Sequence, residues 1–83
     1  MEKDQLHRLL VDTARGIGIE IVEDRLNRRG GTCMLDGKTY VIYDVHAPIT
    51  ERNQLLVKAI SSLDLKDLYL PPRVRDIIRK TGE

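Results

Sequence analysis

The stretch that most constrains this chain is Gly31-Thr32-Cys33-Met34-Leu35-Asp36-Gly37-Lys38-Thr39-Tyr40-Val41-Ile42-Tyr43. The run 31–35 and the run 38–43, the latter rich in β-branched and aromatic residues, flank an Asp-Gly pair, which supplies the positive-φ positions of a two-residue hairpin turn. Closing that turn at Asp36-Gly37 sets Leu35 opposite Lys38, Met34 opposite Thr39, Cys33 opposite Tyr40, Thr32 opposite Val41 and Gly31 opposite Ile42. Directly opposed residues share a face. One face is then Cys33, Leu35, Tyr40 and Ile42, and the other is Thr32, Met34, Thr39, Val41 and Tyr43. The first is the more apolar and is expected to point at the helices. The second is mixed, and a small sheet with two partly apolar faces calls for a second cover. Thr32, Met34, Val41 and Tyr43 are therefore the expected interaction face. A homodimer is the expected partner, with another protein as the alternative occupant.

Around the hairpin the periodicities predict an α-β-β-β-α-α order. Residues 3–15 carry Leu6, Leu9, Leu10 and Ala14 on one helical stripe, and Gly16 is a natural stop. Ile17, Ile19 and Ile21 alternate with polar or small residues as a strand, and 24–29 read as a polar loop. A helix opening at Thr50, with Asn53 as a weak capping partner, runs to about Ser62 and buries Leu56, Ala59, Ile60 and Leu63. Leu65, Leu68 and Leu70 form a turn-rich segment. Pro72 then stands at the first position of a last helix edged by Val74, Ile77 and Ile78. The expectation is one α+β domain over 1–83, a small, mainly antiparallel three-stranded sheet with helices packed on one face.

Composition narrows the function classes. Eighty-three residues hold one modest core, and without Trp or Phe it must be built mainly from Leu, Ile and Val. A net charge of +1 gives no global footprint for nucleic acid. The single Cys33 excludes an intramolecular disulfide and suits a reducing compartment. Met1-Glu2-Lys3-Asp4 lacks the apolar run of a signal peptide, and no stretch has membrane-spanning length. Cytoplasmic location without membrane association is expected.

Chemistry-bearing residues are sparse. Asp44-x-His46 with Glu51 five residues on is the nearest approach to a zinc set, in a spacing that specifies nothing. Cys33 with His46 or His7 as base would need a thiol outside the core, whereas Cys33 is assigned to the helix-facing side. No cofactor motif occurs, and neither a cofactor, a metal site nor catalysis is expected. Gly30-Gly31 follows Arg25, Arg28 and Arg29, and glycine amides beside guanidinium groups can cradle an anion. Arg73 and Arg75 add charge on the last helix. An anion- or nucleic-acid-binding module using these arginines is the alternative function. It is not favoured for single strands, because no aromatic residue is interleaved.

Gly16-Ile17-Gly18-Ile19-Glu20-Ile21, the glycine-bounded hairpin, and Glu51-Arg52-Asn53-Gln54 opening a helix together resemble the short zincin-type metallopeptidases that act on phage-type repressors. In that family the arginine-led helix carries His-Glu-x-x-His. Here Ala59, Ile60 and Leu63 stand at those positions, so the resemblance implies a degenerate scaffold without peptidase activity. The chain is also similar to short bacterial proteins with a Gly-Gly-x-Cys hairpin and a Leu-Pro-Pro-x-x-Arg tail, here Gly30 to Cys33 and Leu70 to Arg75. That likeness implies no function.

Overall fold

The computed structural model describes residues 2–25, 30–64, 66 and 68–81. Its elements follow the expected order: α1 (Lys3–Gly16), β1 (Glu20–Asp24), β2 (Gly31–Leu35), β3 (Lys38–Asp44), α2 (Ile49–Ser61) and α3 (Pro72–Thr81). The hairpin closes as its sequence requires. Asp36 and Gly37 take φ of 52° and 77°, and Leu35 pairs with Lys38 in the stated register. Two consecutive positive φ values identify a type I′ turn, whose twist matches that of the strands it joins.

The sheet is mixed, in the order β1-β3-β2. β3 is central, antiparallel to β2 and parallel to β1, with Ile21 beside Val41 and Glu23 beside Tyr43. Both outer strands are therefore edges. α1 packs against β1, α2 against β3 and β2, and α3 against α2.

The parallel pair decides which face is core. Past Gly16 the chain reverses through Ile17-Gly18, where Gly18 has φ +93° and the Ile19 amide donates to the Ala14 carbonyl at 2.9 Å. That bond seats Ile19 beneath α1 and commits Ile19, Ile21 and Glu23 to the helix side. Through the register, Thr39, Val41 and Tyr43 of β3 share that side. Val41 and Tyr43 are fully buried, with Leu10, Ala14, Leu56, Ala59, Ile60 and Val74. Burying aliphatic and aromatic side chains of this size contributes about 1.5–3 kcal/mol each.

This overturns the face assignment made from the hairpin alone. Val41 and Tyr43 belong to the core and cannot form an outer interaction face. Cys33 and Leu35 are exposed, Leu35 at 61%, while Tyr40 and Ile42 are half-buried. The hairpin is apolar on both sides, so its own composition does not discriminate. The run into β1 does discriminate, because Ile19 and Ile21 stand on one side and Glu20, Val22 and Asp24 on the other. A one-residue difference in side-chain parity exchanges every side chain between faces.

Candidate functional site

Polar bonds tie α1 to α2 and β3 to β1, and one ring contact joins the two pairs. Asn53, buried in α2, accepts from His7 Nδ1 of α1 at 2.8 Å and donates to the Lys3 carbonyl at 3.5 Å. The His7 ring meets the Tyr43 ring in an edge-on contact with centroids 6.1 Å apart. Tyr43 Oη donates to Glu23 Oε1 at 3.2 Å. Burial chiefly, and Glu23 secondarily, push the Tyr43 hydroxyl up to about 12. Arg52 is pinned by its Nε, which donates to the Ala47 carbonyl at 3.0 Å. No pattern in the sequence announces this cluster, because its members lie on four elements.

The open side of the sheet is different in kind. It presents Glu20, Val22 and Asp24 from β1, Lys38, Tyr40, Ile42 and Asp44 from β3, and Gly31, Cys33 and Leu35 from β2. None of these residues is buried among the described ones. Lys38 Nζ lies 3.4 Å from Glu20 Oε2 and 6.0 Å from the centre of the Tyr40 ring. An exposed ion pair of this kind contributes at most about 1 kcal/mol.

The two edges contrast. β1 carries three carboxylates in five residues, Glu20, Glu23 and Asp24, the charged guard that keeps an edge from pairing. β2, Gly-Thr-Cys-Met-Leu, carries no charge and no proline. Cys33, Met34 and Leu35 are consecutive and exposed, Met34 at 62%. A two-residue hairpin closes on a hydrogen-bonded pair, so Leu35, Cys33 and Gly31 direct their amides to β3, and Thr32 and Met34 direct theirs outward. Thr32 and Met34 thus keep a place at the candidate surface through the backbone edge, on the helix side of the sheet.

The remaining sequence candidates fall apart in space. Cys33 lies on the open side and His7 on the helix side, so the sheet stands between thiol and imidazole. His46 is exposed in the turn after β3, its backbone amide donating to Asp44 Oδ1 at 2.7 Å. Among the described residues no three His, Cys, Asp or Glu side chains are grouped to hold a metal. Arg25 is exposed after β1, Arg73 and Arg75 are exposed on α3, and Arg28 and Arg29 lie outside the described residues, as does Leu65. Gly30 has a steric rather than an anion-cradling explanation. A Cβ there would fall on the Ile42 carbonyl oxygen and 2.7 Å from Tyr43 Cα, so only glycine lets β2 start this close to β3. Ala59 and Ile60, at the positions that the zincin family gives to histidine and glutamate, are fully buried in α2.

No known protein family, curated protein or solved structure matches the chain. No helix among the described residues is long and apolar enough to cross a membrane.

Proposed function

We propose that this chain is a non-catalytic protein-interaction module that self-associates through its β-hairpin, along the free β2 edge and the open side of the sheet. One observation carries the reading: an uncharged edge strand exposes Cys33, Met34 and Leu35 in succession while the opposite edge is guarded by carboxylates. An unguarded apolar edge is a template for another strand. A core as small as that of 83 residues also gains stability from a partner. The sheet that stands between Cys33 and His7 supports a role without catalysis. A solvent-exposed thiol on the association surface fits a reducing compartment, the bacterial cytoplasm in this proposal.

Static light scattering over a micromolar-to-millimolar series tests the reading. The mass is expected to rise from one chain toward two, and a single-chain mass throughout contradicts it.

A further inference from the structure

We infer that two copies of this chain join β2 to β2 in antiparallel register centred on Cys33, making one continuous six-stranded sheet with both sets of helices on the same side. The inference rests on the self-association reading and names its geometry.

The backbone restricts the choices. Outward amides belong to Thr32 and Met34, so any added strand must exchange its hydrogen bonds with those two residues. Centring on Cys33 pairs all five residues of Gly31–Leu35, with Thr32 against the partner's Met34 and Met34 against the partner's Thr32. Centring on Thr32 or on Met34 instead overlaps the strands over only part of their length. The five residues span about 17 Å.

Side chains complete the fit. Nothing lies within 4 Å of a Cβ built on Gly31, and Leu35 is 61% exposed. In this register Leu35 lies across the partner's Gly31, so the large side chain at one end of the strand covers the bare backbone at the other. The relation is reciprocal, as a two-fold interface demands. Met34, exposed at 62%, gains the partner's Thr32 as its cross-strand neighbour on the helix side. β1 offers no equivalent, since antiparallel pairing of two such strands would oppose carboxylates.

The register has a chemical signature. Cys33 and the partner's Cys33 form the non-hydrogen-bonded pair at the centre, where Cα atoms sit about 4.5 Å apart. That separation is inside the range a disulfide spans, about 4.4–6.8 Å. With an added oxidant accepting two electrons and two protons leaving the thiols, the two Sγ atoms can join without rearrangement of the strands.

The test uses the full chain in three measurements. In reductant, sedimentation establishes the dimer. Mild copper-phenanthroline oxidation at dimer-forming concentration is then expected to yield a covalent dimer with unchanged secondary structure, at a rate that falls on dilution. Met34→Lys places a charge on the edge twice per dimer and is expected to weaken association by about tenfold or more, while leaving the folded monomer intact. Thr32→Pro, which removes an outward amide and leaves the bonds to β3 in place, is expected to do the same and serves if Met34→Lys fails to fold. A dimer that neither cross-links at Cys33 nor responds to either variant overturns the register and leaves self-association standing. A wild-type chain that stays monomeric overturns both.

Discussion

Tyr43 and Glu23 are register partners across the parallel β1–β3 pair, and the buried phenol donates to the exposed carboxylate at 3.2 Å. Tyr43 is fully buried, and its hydroxyl ends on a carboxylate that is itself exposed. Tyr43→Phe is expected to keep the fold and lose about 1 kcal/mol, and Tyr43→Ala to cost about 3–5 kcal/mol, both read from urea denaturation.

The same hydroxyl sets an alkaline limit. Its pKa is raised from 10.0 to about 12 in the folded chain, so the neutral form is favoured by folding. The stabilisation is complete below about pH 10 and is lost as pH rises toward about 12. Wild-type melting temperature should fall across that window more steeply than that of Tyr43→Phe. Parallel curves for the two proteins would remove the assignment.

Thr39 carries a conflict that a conservative change relieves. It is buried on the helix side, and its Oγ1 has no hydrogen-bond partner among the described residues. Thr39→Val keeps the β-branched shape and removes the unpaired hydroxyl, so a gain of about 1 kcal/mol is expected. A loss in the chemical-denaturation midpoint would show that the hydroxyl is satisfied in solution.

Gly30 tests the close approach of β2 to β3. Gly30→Ala sets a methyl group against Ile42 and Tyr43 backbone atoms that cannot rotate away. A loss of at least about 2 kcal/mol is expected, against a much smaller effect for Gly31→Ala, where the space is open. Equal thermal stability of the two variants would contradict the steric account.

Much of the fold was legible because local signals agreed: the Asp36-Gly37 turn, the Leu6/Leu10/Ala14 stripe and Pro72 at a helix start all appear where the residues place them. The buried side of the hairpin was not legible from the hairpin. It depends on the parallel pairing of Ile21 with Val41, a contact between strands separated by a third, and no spacing rule encodes it. The candidate surface was read in part. Thr32 and Met34 remain at it through their backbone edge, Val41 and Tyr43 leave it for the core, and Cys33 and Leu35 enter it. The His7–Asn53 bridge has no sequence signal because its partners are 46 residues apart.

Amide hydrogen exchange at Thr32 and Met34, followed residue by residue at low and high protein concentration, tests the central claim most directly. If β2 is the self-association edge, both amides exchange quickly in dilute protein and become protected as concentration rises. The Cys33 amide, already directed to β3, stays protected throughout. Rapid exchange of Thr32 and Met34 at every concentration, with the chain otherwise folded, would contradict it.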